Sequence, residues 1–144
     1  MTVTGARYQE MLEWKLVPQL ARQRIPLSRP WFQQDGAAPH TTHGVLAYLG
    51  EVFPGKVVSK GGDVMWPPRS PDLSPLDFFL WGHLKAQVYA TPLKSLGKLQ
   101  RRLRVAIRSI PLSSVRAAMD QVPTRARLYL RRRGKDLEGV LPRH

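Results

Sequence analysis

The residues suited to chemistry divide into a few placed acids and many bases. Asp35 ends the run Trp31-Phe32-Gln33-Gln34-Asp35 and is followed by Gly36, Ala37, Ala38 and Pro39. An aromatic-rich run ahead of a small-residue loop reads as a strand delivering a carboxylate at its C-terminal end. Open α/β sheets place their chemistry at such positions. His40 lies close behind in the same loop. Asp77 follows Ser74, Pro75 and Leu76; Ser74 suits an N-cap, Pro75 the first helical position and Asp77 the third. The bases come later: Lys85, Lys98, Arg101, Arg102, Arg104, Arg108, Arg125, Arg127, Arg131, Arg132 and Arg133. Residues 81–144 hold 15 Lys and Arg against three Asp and Glu, whereas residues 1–80 hold eight and seven. That late surplus exceeds what solubility needs, and phosphate contact through counterion release is its most economical use.

The whole chain has 144 residues and a net charge of +13, which makes a polyanion the first partner to expect. Its length allows one ordinary domain and little room for a second. Hydrophobic residues make up 42% of it, enough for a core, so a disordered polyelectrolyte is excluded. The absence of cysteine removes disulfide frameworks and thiolate zinc sites and is compatible with a reducing compartment. Charges interrupt the first twenty-five residues, which excludes a secretory leader or a membrane span there.

Several elements must position these groups. Tyr8, Met11, Leu12, Leu16 and Leu20 recur at helical spacing over residues 5–24, predicting an amphipathic helix with a kink or interruption at Pro18. Thr41 or Thr42 is expected to cap a second helix carrying Val45, Leu46, Leu49 and Phe53, ended by Pro54-Gly55. Val57-Val58 and Val64-Met65-Trp66 flank the Gly61-Gly62 turn, and at least the second should be a strand. The four prolines of residues 67–75 predict an extended loop, and a helix should run from Pro75 to about Tyr89. Beyond it, Leu96, Leu99, Leu103 and Ile107 predict a helical stripe within residues 93–109. Pro111 and Pro123 should open two further short helices, with Gly134 as the closing C-cap.

The segments Gln34-Asp35-Gly36-Ala37-Ala38-Pro39-His40 and Trp66-Pro67-Pro68-Arg69-Ser70-Pro71-Asp72-Leu73-Ser74-Pro75-Leu76-Asp77 together resemble the second and third acidic motifs of mariner-type DDE/D transposases. The Tyr8 to Leu20 helix and the trailing basic helices are similar to the same family. The resemblance implies a ribonuclease-H-like fold and assigns Asp35 and Asp77 as catalytic, metal-ligating carboxylates, with His40 beside the site. It also implies Mg²⁺ or Mn²⁺, since such chemistry runs on two ions about 4 Å apart. Forty-one residues separate the two aspartates, a longer gap than is typical of mariner elements but similar to that of some related lineages. No counterpart of the family's first Asp precedes Asp35, where the only acids are Glu10 and Glu13. Two carboxylates alone imply at most a weak or vestigial ion site.

Each of these residues also has a structural role open to it. Asp35 can satisfy the turn, Asp77 can complete a capping box, and His40 can be a plain hydrogen-bonding histidine. Asp63 and Asp72 read as turn-formers, and Trp66, Phe78, Phe79 and Trp81 as core aromatics. Basic helix faces are often just solvated, and Arg131 to Arg133 equally suit a nuclear-import cluster. The expectation is an α/β chain, a partial ribonuclease-H-like fold with few short strands and a helical basic C-terminal half. Residues 1–134 would form a truncated catalytic domain and 135–144 a loose tail. The expected function is a transposase-derived DNA-binding protein, catalytically incomplete and located in the nucleus, with DNA as partner, no membrane, and a homodimer left open. Two alternatives stand beside it: part of an active transposase that cleaves and joins DNA, or a domesticated nucleic-acid-binding module without metal chemistry.

Overall fold

A computed structural model of the chain describes residues 2–93, 95–135 and 137. The fold is mixed α/β and divides into two compact units, Met1–Arg69 and Ser70–His144. Among the described residues no helix is long and apolar enough to cross a membrane.

The first unit opens with α1 (Gly5–Met11), a π-helical turn (Leu12–Leu16) and α2 (Val17–Arg22) in unbroken succession. Thr4 caps α1, its Oγ1 accepting from the Arg7 N–H at 3.4 Å. At Pro18 the helix passes through this π turn without a break, the Val17 N–H reaching back to Leu12 O. Widening the helix there accommodates a residue that cannot donate to the ladder. Leu12 from this helix joins Val45, Leu49, Phe53 and Val57 in the buried core, with Tyr8, Leu16, Leu20 and Phe32 packed around them. The buried members contribute about 1.5–3 kcal/mol each by leaving water.

Strand β1 (Phe32–Gln33) is followed by α3 (His43–Val52), β2 (Val57–Ser59) and β3 (Val64–Met65). The three strands form a parallel sheet in the order β1-β2-β3, so both apolar pieces around the glycine turn are strands. Phe32 pairs with Val57, and Val58 with Val64. Parallel neighbours ordinarily need a long crossover, yet only residues 60–63 join β2 to β3. Gly62 permits this fold-back, because a Cβ there would stand 2.7 Å from the Val57 carbonyl oxygen. Thr42 is the N-cap of α3 by backbone geometry alone.

In the second unit, a 3₁₀ turn (Pro71–Leu73) leads into a π turn (Leu76–Leu80) continuous with α4 (Trp81–Val88). Then come α5 (Leu96–Ser109) and α6 (Leu112–Arg131). Ser95 caps α5 through a bond from the Lys98 N–H. Leu84, Val88 and Ala106 are buried together, with Leu80, Leu93, Leu99, Leu103 and Ile110 around them. The packed stripe of α5 is therefore rotated from the expected one: Leu96 and Ile107 are exposed, and Ala106 and Ile110 take their place. Spacing alone cannot rank neighbouring apolar stripes when both have helical period.

Two further expectations are corrected. Pro123 opens no helix but lies inside α6; helical residues buried on either side, Ala118 and Arg125, hold the chain through the lost hydrogen bond. Trp81 is exposed rather than in the core, whereas Phe78 is buried. Gly134 closes α6 as expected, at φ +78° and with its N–H on Tyr129 O at 2.9 Å. Of the expected tail, Lys135 and Leu137 are described, and Leu137 is buried; Asp136 and residues 138–144 lie outside the described residues.

Candidate functional site

Just past the end of β1 the extended alternation continues, turning Gln34 inward and Asp35 outward. Gln34 is buried and ties three elements. Its Nε2 donates to the His40 carbonyl and to Ser59 Oγ, each at 2.9 Å, and its Oε1 accepts from the Tyr8 hydroxyl at 3.0 Å. The loop after β1 is thereby fastened to α1 and to β2. Asp35 emerges at its edge with a side chain 58% exposed.

The Asp35 carboxylate is organised by its own loop. Oδ1 accepts from the Ala37 N–H at 3.0 Å, an Asx turn, and from His40 Nδ1 at 2.6 Å. A carboxylate only accepts, so Nδ1 carries the proton. The His40 ring in turn lies against Tyr8, with centroids 4.2 Å apart. Burial foremost, and the Asp35 charge after it, push the Tyr8 phenol up to about 12. The arrangement presents a carboxylate held from behind by the Ala37 N–H and the His40 ring. His40 is thus brought to Asp35, as the sequence reading placed it.

Gln34 and Tyr8 are the residues that chemistry-first reading passes over. Their signal was available: a glutamine at an inward strand position must find partners, because an unsatisfied buried amide costs several kcal/mol.

Asp77 stands exposed in the first turn of the Leu76–Leu80 segment, in the second unit. Ser74 is the extended residue at the cap and Pro75 the first helical one, as expected, with the Phe78 N–H on Ser74 O at 3.0 Å; the Ser74 N–H, however, is spent on Pro71 O. A capping box is therefore closed to Asp77, whose position instead complements the positive end of the helix. Asp63 and Asp72 serve as structural acceptors. Asp63 Oδ2 takes the Val57 N–H at 3.0 Å, and buried Asp72 takes the Leu137 N–H at 2.8 Å.

The bases sort into two groups. Lys85, Lys98, Arg101, Arg104, Arg108, Arg127, Arg131, Arg132 and Arg133 are exposed. Arg125 is only 1% exposed; its guanidinium carbon lies 3.9 Å over the Phe78 ring, and it donates toward Asp72 O and Gln121 Oε1. Such a side chain is not offered to a phosphate, which corrects its place among the expected contacts. Arg102 is half-buried and donates to Val88 O, Thr91 O and Thr91 Oγ1, securing the last carbonyls of α4.

No family model matches the chain. Over 128 residues, 88% of its length, it is 27% identical to the Transposable element Tcb1 transposase of Caenorhabditis briggsae. This similarity supports a transposase-related origin. The chain spans 43% of that relative's length.

Proposed function

We propose that this chain is a mariner-type transposase derivative that binds DNA through the basic helices of its second unit, with little sequence preference. The observation that carries the reading is the exposure of nine of the eleven expected cationic side chains, while the unit keeps few acids to oppose them. The similarity to a transposase makes duplex DNA the natural polyanion. With a single aromatic, Tyr129, among the bases of α6, contact is to phosphates rather than base edges. Arg131 to Arg133, exposed at the end of α6, suit nuclear import as well.

The same reading assigns the first unit to a ribonuclease-H-like sheet and Asp35 and Asp77 to Mg²⁺ or Mn²⁺. The donors fit such an ion in kind: both are exposed carboxylates, the hard oxygens these cations require. In number they are two of the three Asp of the family's scheme, and two carboxylates hold at most a weak ion site. A bound ion would supply charge stabilisation at phosphate oxygens. The chain's own contribution is to hold Asp35: the Ala37 N–H and the His40 ring fix Oδ1, and Gln34 fixes the loop that carries them. We therefore assign these residues DNA binding without independent cleavage.

One titration tests both parts. Supercoiled plasmid incubated with the purified chain and Mn²⁺ should be retarded on a gel and remain uncut. Retardation should weaken steeply with salt, by about 0.9 in log affinity per log salt for each phosphate engaged. Salt-insensitive or absent retardation would sink the binding reading. Nicking abolished by Asp77→Ala would sink the incomplete-site reading.

A further inference from the structure

Beside the C-terminal end of α4 a cavity of about 280 Å³ opens against α5, lined by Gln87, Thr91, Arg101, Arg102, Val105 and Ala106. Its polar wall consists of two guanidinium groups, a hydroxyl and an amide, with no carboxylate. Its apolar part is Val105 and Ala106. A cavity so lined favours an anion, and one larger than its charged head.

The guanidinium of Arg102 is placed in advance. Nη1 donates to Val88 O at 2.9 Å and to Thr91 O at 2.6 Å, and Nη2 donates to Thr91 Oγ1. These bonds use three of its five N–H groups and offset none of its charge with a carboxylate. Thr91 Oγ1 accepts in this arrangement, so its own hydrogen remains to be given. Arg101 is exposed and brings a second planar fork, the geometry that matches phosphate oxygens in pairs. Helical spacing puts Lys98, Arg104 and Arg108 on the same side of α5 as Arg101, opposite the stripe packed on α4. A strand lying on that side would meet cations before and after the cavity.

We propose that this cavity seats one phosphodiester group of a DNA strand: Arg101, Arg102 and Thr91 hold its oxygens, and its sugar rests on the exposed Val105. The assignment rests on the DNA-binding reading above and adds to it a defined point of contact. Phosphate contact elsewhere on the helices is diffuse, whereas here a pre-placed guanidinium and a hydroxyl converge.

The test compares DNA binding by fluorescence anisotropy across salt concentrations for wild type, Arg101→Gln, Thr91→Val and the exposed-site control Arg116→Gln, all checked for fold by circular dichroism. Arg101→Gln should lower the salt slope by about 0.9, which is about eightfold weaker binding at 0.1 M salt when the curves meet at 1 M. Thr91→Val should weaken binding with the slope unchanged, and Arg116→Gln should change little. An Arg101→Gln effect no larger than that of Arg116→Gln, in a wild type that binds DNA, overturns the seat and leaves the general reading standing. A wild type that binds no DNA overturns the general reading, and the phosphodiester with it. Amide NMR with inorganic phosphate separates the sources: silence at Thr91 and Arg101 where DNA shifts them supports the phosphodiester, and equal shifts at millimolar phosphate assign the cavity to free phosphate instead.

Discussion

In each unit a long buried polar side chain ties neighbouring segments together, and the two differ in charge. In the first, the hub is Gln34, a neutral amide whose three side-chain bonds to Tyr8, His40 and Ser59 are all made to uncharged groups. In the second it is Arg125, a cation stacked on Phe78 and bonded to Asp72 O and Gln121. The amide hub leaves the adjacent Asp35 to face solvent. The arginine hub removes a charge from the surface of the more basic unit. A charged side chain is thus no measure of surface charge until its burial is known.

The largest expected effect is on the arginine hub. Arg125→Ala empties a fully buried site and removes the cation–π contact, and should cost about 3 kcal/mol in urea denaturation. It should leave the salt slope of DNA binding as in wild type, because the guanidinium is not at the surface. A reduced slope with unchanged stability would reverse the assignment.

Next comes the amide hub. Gln34→Leu conserves bulk but leaves the Tyr8 hydroxyl, the Ser59 hydroxyl and the His40 carbonyl without their partner, so a loss of about 2 kcal/mol is expected. A loss below about 0.5 kcal/mol would mean that solvent already satisfies these groups and that the hub does not hold the Asp35 loop.

The smallest effect is one of pH. Tyr8 has a folded pKa of about 12, above its ordinary value of 10.0, so as pH rises the unfolded chain releases this proton first. Its stabilising contribution is complete below pH 10 and is lost on the way to pH 12. Residual exposure of the ring makes the change smaller than the full shift implies. Urea midpoints between pH 9 and 12 should fall more steeply in wild type than in Tyr8→Phe; parallel curves would break the link between Tyr8 and the network.

Much of the local structure was legible in residue order. The stop at Gly134, the strand ahead of Asp35 and the helix after the proline loop each depend on a few neighbouring residues, whose backbone preferences act locally. The acid at a strand end and the excess of bases in the second half were legible for the same reason.

Burial was decided only in the tertiary structure. Arg125 meets Phe78 across 47 positions of sequence, and Gln34 meets Tyr8 across 26; no pattern in either neighbourhood marks the partner. The stripe of α5 that turns inward was settled by where Leu84 and Val88 lie, and Pro123 was kept inside a helix by packing that outweighs its own preference. Composition and spacing determined which charges and elements this chain has, because those are properties of residues and their near neighbours. Which charges reach solvent, and which polar groups hold the loop of Asp35, depended on surfaces that only folding brings into contact.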